Sequence, residues 1–135
     1  MCTNFVHQNL NHMYVGWIDW NLCLDPAGGP NWIRNNVDSA IIVNSNGTEF
    51  LKQPMFYGIG HFSKFLPPGS RRVEARVAGC GLEGVAFLTP RNTIVAVLLN
   101  RGKARRLLLQ IEDKEAALSL EAKSFTTVEM SQEDA

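Results

Sequence analysis

The 135-residue sequence has little cysteine, no excess of charge of either sign and no long hydrophobic run. Its 13 basic side chains balance 13 acidic ones, whereas a nucleic-acid-binding protein shows a basic excess or a basic stripe. No apolar stretch approaches the ~18 residues of a membrane-spanning helix. Its three cysteines cannot all pair with one another, and none lies in a metal-binding spacing. We therefore expect no nucleic-acid partner, no transmembrane segment, no metal and no cofactor. The length also falls short of the ~250 residues of a complete (β/α)₈ barrel.

The residues that are present are distributed asymmetrically. Residues 1–69 hold ten of the twelve aromatic side chains, including all three tryptophans, but only seven charged residues. Residues 70–135 hold two aromatic and 19 charged residues. The change falls at residues 66–70, a Leu-Pro-Pro-Gly-Ser sequence typical of a loop or linker. We expect two pieces with different surface chemistry to meet there.

The first piece begins with an apolar segment at residues 13–20. Its β-branched and aromatic residues with little charge predict a strand buried on both faces, as in parallel sheets. A buried helical turn is the alternative, because periodicity alone does not separate the two.

A hairpin and a helix are predicted next. The Asn-Gly pair at residues 46–47 lies between apolar runs at 40–43 and 49–51, which indicates a β-hairpin. Apolar residues then recur at spacings of three and four over 55–66, a pattern of a short amphipathic helix. The two prolines at 67–68 end it.

The second piece consists of short, regularly spaced segments, of which residues 84–88, 93–99 and 106–111 are apolar and residues 71–77 alternate loosely. The predicted strands cover residues 71–77, 84–88, 93–99, 106–111, 118–121 and 124–130. Such spacing with turn residues between the segments predicts an antiparallel sandwich or barrel. The fold class is therefore mainly β with one short helix.

Few residues suggest chemistry. Trp17 and Trp20 are either core residues or part of a sugar-binding platform, since an aromatic ring covers the apolar face of a pyranose. Asp19 lies between them, but no second carboxylate is evidently placed beside it for glycoside hydrolysis, which needs two. Asn46 begins an Asn-Gly-Thr sequon at the predicted hairpin tip and is a candidate N-glycosylation site.

Several segments in one order carry a family resemblance. Residues 15–22 read Val-Gly-Trp-Ile-Asp-Trp-Asn-Leu and residues 28–35 read Gly-Gly-Pro-Asn-Trp-Ile-Arg-Asn. Further matching segments cover residues 37–43, 52–57 and 60–65. The sequence resembles the glucosylceramidases of glycoside hydrolase family 30, densely over residues 14–70 and more loosely to residue 130.

The resemblance implies a fold and a domain order. The family fold is a (β/α)₈ barrel with an antiparallel β-sandwich side domain, and this chain corresponds to its C-terminal portion. The implied regions are a last barrel strand region (1–20), a small antiparallel side element with a hairpin (21–53), a last barrel helix with linker (54–69) and the β-sandwich domain (70–135).

The resemblance also implies a function. Family members hydrolyse the β-glucosidic bond of glucosylceramide with retention, act in the lysosome and work with a saposin-type activator protein. Trp20 and Asn35 match family residues that contact the glucosyl group, while Asn36 replaces an expected aromatic residue. No position matches either catalytic glutamate, so no catalytic residue is expected and the chain alone is expected to be inactive.

A free-standing, non-catalytic β-sandwich is the alternative. Such an interaction or carbohydrate-binding module requires residues 70–130 to fold alone, and about 60 residues make a marginal core. A module also has no reason to retain the apolar strand and helix of the first piece.

Overall fold

The computed structural model describes residues 9–33, 37–111 and 114–131. Strands dominate, and a helical turn at residues 9–11 precedes them. The elements are β1 Cys23–Leu24, β2 Ile41–Val43, β3 Phe50–Lys52, α1 Pro54–Ser63, β4 Arg71–Val73, β5 Leu82–Leu88, β6 Thr93–Asn100, β7 Arg105–Ile111, β8 Lys114–Leu120 and β9 Ser124–Ser131. Two units, Met1–Gly60 and His61–Ala135, are each compact. No helix among the described residues is long and apolar enough to cross a membrane.

A small three-stranded sheet organises the first unit. β1 runs parallel to β2, and β2 pairs antiparallel with β3, with Val43 opposite Phe50. The turn is closed by Asn44, whose backbone N–H donates to the Glu49 carbonyl at 3.0 Å. Gly47 adopts a φ of 70°, a conformation that glycine reaches without steric cost. The predicted hairpin is therefore confirmed.

The buried strand predicted at residues 13–20 is wrong for this chain, and so is its helical alternative. Residues 14–19 have no regular secondary structure, and the side chain of Ile18 is 96% exposed. An apolar extended segment becomes a strand only where neighbouring strands accept its hydrogen bonds and cover its faces. Within the described residues no strand pairs with this segment.

The second unit is an antiparallel β-sandwich, as predicted. One sheet has the strand order β4-β5-β6-β9 and the other is the β7-β8 hairpin. Its core joins the two sheets, because side chains from both pack together. These are Leu82, Leu98 and Leu120, with Leu107 and Leu118 packed against them.

Two strand boundaries differ from the prediction by four residues, and the others differ by two residues or fewer. β4 ends at Val73 instead of residue 77, although the following chain stays close to β5: a Cβ on Gly84 would lie 2.8 Å from Val77 Cγ2. β8 begins at Lys114 instead of residue 118, because its pairing with β7 extends to Ile111 opposite Lys114. The residues there have weak intrinsic strand preference, and the pairing overrides it.

Asn100 links two turns of the sandwich. Its side chain is fully buried, and its Nδ2 donates to the carbonyls of Lys103 at 2.9 Å and Glu121 at 2.7 Å. Its Oδ1 accepts from the Gly102 N–H at 3.1 Å. Asn100 lies among the turn residues expected between the predicted strands at 93–99 and 106–111, but the burial of its side chain was not predicted.

The predicted helix is present as α1, although it ends at Ser63 and not at residue 66. The backbone N–H groups of Phe65 and Leu66 still donate to the Phe62 carbonyl, at 3.2 and 2.9 Å. The helix therefore closes in a final turn just before the two prolines.

Candidate sugar-binding segment

The segment at residues 13–33 presents an unusually apolar surface. Its exposed large hydrophobic side chains are Met13, Tyr14, Val15, Trp17, Ile18, Trp20, Leu22, Trp32 and Ile33. Trp20 is 74% exposed and Trp32 is 97% exposed, so the interpretation of Trp20 as a core residue does not hold in this chain. Exposed indole rings offer both a flat apolar face and an N–H donor.

Trp20 is positioned by its neighbour. The side chain of Asp19 accepts a hydrogen bond from the Trp20 backbone N–H, with 3.0 Å between Oδ1 and N. This contact uses the Asp19 carboxylate to hold the main chain at the tryptophan. Asp19 thus has a structural partner within the segment.

The loop after β1 is organised by Asp25. Its Oδ1 accepts from the N–H groups of Ala27 and Gly29, each at 2.8 Å, and its own N–H donates to the Gly29 carbonyl at 2.7 Å. Asn31 donates from Nδ2 to the Gly28 carbonyl at 2.7 Å. Asp25 and Asn31 therefore shape the turn, a common role of these residue types in such loops.

Asp38 also has local partners. Its Oδ1 accepts from the Ser39 N–H at 2.9 Å and from Nε2 of Gln53. Gln53 also donates to the Ser39 carbonyl at 3.2 Å, which ties the segment before β2 to the end of β3. This carboxylate holds the small sheet together.

The second predicted sugar contact, Asn35, lies outside the described residues. Of the predicted pair, Trp20 and Asn35, the structure therefore describes Trp20 alone. Trp32 is an additional exposed aromatic that was not singled out as a site residue. The turn-rich sequence around it was the available signal, because surface loops display their side chains to solvent.

His61, in the second unit, has a structural environment. Its Nδ1 lies 2.8 Å from Thr127 Oγ1, and its ring stacks on Phe125 with centroids 5.6 Å apart. Burial lowers the pKa of the imidazole below its usual value, because desolvation disfavours the charged form. The histidine joins the end of α1 to β9. In the part of the chain that the structure describes, no three His, Cys, Asp or Glu side chains form a metal-binding group.

Comparison with known families decides which fold this sequence shares. Residues 2–66 match the glycosyl hydrolase family 30 TIM-barrel domain, and residues 69–128 match the β-sandwich domain of the same family. The chain belongs to glycoside hydrolase family 30. Both parts of the predicted fold class, a piece of the barrel and an antiparallel sandwich, are therefore present.

Curated relatives of this chain include proteins named as glucosylceramidases. Putative glucosylceramidase 3 of Caenorhabditis elegans is 47% identical over 113 residues, which is 83% of this chain and 22% of that protein. Lysosomal acid glucosylceramidase of Mus musculus is 58% identical over 95 residues, which is 69% of this chain and 18% of that protein. The chain thus spans about a fifth of the length of these relatives.

Solved structures agree with the family 30 assignment. SrfJ from Salmonella typhimurium superposes with a TM-score of 0.84 at 32% identity, over 96% of this chain and 31% of that one. An endo-β1,6-glucanase gives a TM-score of 0.83 at 25% identity, over 93% of this chain and 29% of that one.

Proposed function

We propose that this chain is the C-terminal part of a glucosylceramidase-like retaining β-glucosidase. The observation that carries the proposal is its 58% identity to mouse lysosomal acid glucosylceramidase over 95 residues. The proposed substrate is glucosylceramide, the proposed location is the lysosome, and the proposed accessory partner is a saposin-type activator. The proposed regions are a barrel strand region (1–20), a side element (21–53), a barrel helix with linker (54–69) and the sandwich (70–135).

Trp20 is proposed to contact the glucosyl group. Its exposed indole is available to cover the apolar face of the sugar and to donate a hydrogen bond to a hydroxyl group. Asn35 is the proposed second contact, since an amide both donates to and accepts from hydroxyl groups. In the full-length enzyme that we propose, residues 13–20 form a barrel strand and Trp20 lies at its end, where such enzymes bind substrate.

The chain alone is proposed to be inactive. Retaining hydrolysis needs one carboxylic acid to protonate the leaving oxygen and a second carboxylate, about 5–5.5 Å away, to attack the anomeric carbon. Asp19, Asp25 and Asp38 each accept hydrogen bonds from nearby main-chain N–H groups, which supports structural roles for them. The catalytic pair belongs to other barrel strands of the proposed enzyme.

A chimaera tests this proposal. The purified chain is assayed on a fluorogenic β-glucoside, and so is mouse lysosomal acid glucosylceramidase in which this chain replaces the matching segment. We expect turnover from the chimaera and none from the chain alone. Turnover by the chain alone would contradict the assignment of the catalytic pair, and an inactive but folded chimaera would contradict the proposed function.

Trp20→Ala in the chimaera tests the sugar contact. Loss of about 1–2 kcal/mol of aromatic contact with the sugar lowers kcat/KM about tenfold. Phe50→Ala is the matched control, since it removes another exposed aromatic ring, on β3, and is expected to leave kcat/KM unchanged. Equal losses in both variants would remove the proposed role of Trp20.

The free-standing module remains the second candidate, favoured by the separate core of the second unit. It requires the isolated chain to melt in one cooperative step without aggregating. The segment proposal instead expects association through the exposed apolar residues of the first unit.

A further inference from the structure

The hairpin between β2 and β3 carries a sequon that the proposed catalytic role does not use. Asn46, Gly47 and Thr48 form an Asn-x-Thr sequence, and all three residues are exposed at the tip. N-linked glycosylation requires an Asn-x-Ser/Thr sequence. The modified asparagine also lies at the surface, because the attached sugar is bulky and hydrated. Exposure is therefore the first requirement that this sequon meets.

The side chains of the sequon leave the acceptor amide available. Thr48 donates from Oγ1 to Asn46 Oδ1 at 2.8 Å, and the Thr48 N–H approaches the same oxygen at 3.3 Å. Within the described residues, Nδ2 of Asn46 donates no hydrogen bond. A sugar on this nitrogen consequently breaks no contact that holds the turn.

A neighbouring asparagine, Asn44, stabilises the turn. Oδ1 of Asn44 accepts from the N–H groups of Thr48 at 3.1 Å and Glu49 at 3.3 Å. Asn44 is followed at the second position by another asparagine, so it is not in a sequon. The hairpin therefore holds one asparagine that closes the turn and a second that is left for modification.

The surface next to the tip accommodates a sugar. An apolar groove of about 260 Å³ extends from Gly47 and Thr48 to Leu22, Val43 and Phe50. Phe50 is exposed, and its ring offers the kind of flat apolar face on which sugars stack. A glycan on Asn46 would therefore begin beside exposed apolar surface, next to the Gly47 and Thr48 end of the groove.

We propose that Asn46 is an acceptor for N-linked glycosylation. The donor is an oligosaccharide on a polyisoprenyl pyrophosphate. Nδ2 of Asn46 bonds to the anomeric carbon, the bond from that carbon to the phosphate oxygen breaks, and the lipid pyrophosphate leaves with the bonding electrons. The displaced amide proton passes to a base of the transferase.

The proposal rests on entry into the secretory route, which the proposed lysosomal function also requires, so the test supplies that entry itself. The full chain is translated behind a cleavable signal sequence in the presence of endoplasmic-reticulum microsomes. We expect one slower-migrating, protease-protected band that returns to the unmodified mobility after peptide N-glycosidase treatment. Mass spectrometry then finds aspartate at position 46.

Substitutions identify the acceptor. Asn46→Gln and Thr48→Ala are expected to abolish the shift, Thr48→Ser to retain it, and the matched control Asn44→Gln to retain it. An unshifted, protease-protected wild-type chain overturns the proposal, and so does a shift that survives Asn46→Gln. Neither result affects the β-glucosidase proposal, which the chimaera tests separately.

Discussion

The two units of the chain bury their hydrophobic residues to very different extents. Of the large hydrophobic side chains that are exposed among the described residues, twelve lie in the first unit and two, Val77 and Leu108, in the second. Of the buried hydrophobic residues in the described part of the chain, two lie in the first unit, Leu24 and Ala40, and eleven in the second. The second unit contains its own core, whereas the first leaves most of its large hydrophobic side chains exposed.

The difference shows why hydrophobic content alone does not predict burial. The first unit holds most of the aromatic residues, yet its apolar segment at 13–33 stays exposed because the described chain supplies no layer to cover it. The sandwich has fewer aromatic residues but pairs two sheets face to face. Burial follows from the presence of a partner layer.

Removing a core leucine is expected to give the largest effect on the second unit. Leu120→Ala leaves a cavity among Leu82, Leu98 and their neighbours, and we expect a loss of about 2–5 kcal/mol in the free energy of unfolding. Urea unfolding followed by far-ultraviolet circular dichroism measures it. Tryptophan fluorescence serves as an internal reference, since all three tryptophans lie in the first unit.

Leu108→Ala is the matched control for this prediction. It makes the same chemical change on the paired strand β7, but Leu108 is exposed and its loss is expected to cost less than about 0.5 kcal/mol. Similar costs at the two positions would mean that the sandwich core does not lie between the two sheets.

The next largest effect on the free energy of unfolding is expected at the buried side-chain amide of Asn100. Asn100→Ala leaves the Lys103 and Glu121 carbonyls without their side-chain donor, and we expect a loss of about 2–3 kcal/mol. The same urea experiment measures it, with the exposed Ser119→Ala as control. A loss no greater than that of the control would show that water replaces the amide without cost.

The sandwich was largely predictable from the sequence, and its exceptions have physical causes. β5 and β6 are mainly apolar runs between turn residues, so local pattern and tertiary structure agree. Lys114 and Glu115 have little intrinsic preference for a strand and join β8 through their partners on β7. Asn100 was expected only as a turn residue, because sequence spacing does not reveal a buried side chain.

The candidate site was less predictable. Residues 13–20 have the composition of a buried strand, but such a strand depends on neighbours far away in sequence. Trp20 was named through the family resemblance, since a tryptophan taken alone is more often a core residue. The sequence pattern that identified the hairpin also located Asn46 correctly at its tip, because turn chemistry is local.

A smaller, pH-dependent effect is expected at His61. Burial lowers its pKa in the folded state relative to about 6.5 in the unfolded chain, so the unfolded state binds more protons at acid pH. The contribution of the neutral histidine is therefore fully present above pH ~6.5 and is lost as the pH falls through the lowered value. Unfolding free energies of the second unit measured from pH ~7.5 to ~5 should decline accordingly.

His61→Gln removes this contribution and should flatten the pH dependence of the second unit. His12→Gln is the control, because His12 is exposed in the first unit and should leave that dependence unchanged. If His61→Gln retains the full wild-type slope, the pH dependence arises from other groups.

The smallest effect on stability is expected at Ile18, where the comparison between the units becomes sharpest. Because this side chain is 96% exposed, Ile18→Ser should change the unfolding free energy of the isolated chain by less than about 0.5 kcal/mol. It should also reduce self-association in sedimentation velocity, since it interrupts an exposed apolar surface. In the chimaera, where we propose that neighbouring barrel strands cover the segment, the same substitution should cost several kcal/mol because it buries a hydroxyl group in place of packed methylenes. A large loss in the isolated chain would show that residues 13–20 are already packed there, and no loss in the chimaera would show that those strands do not cover Ile18.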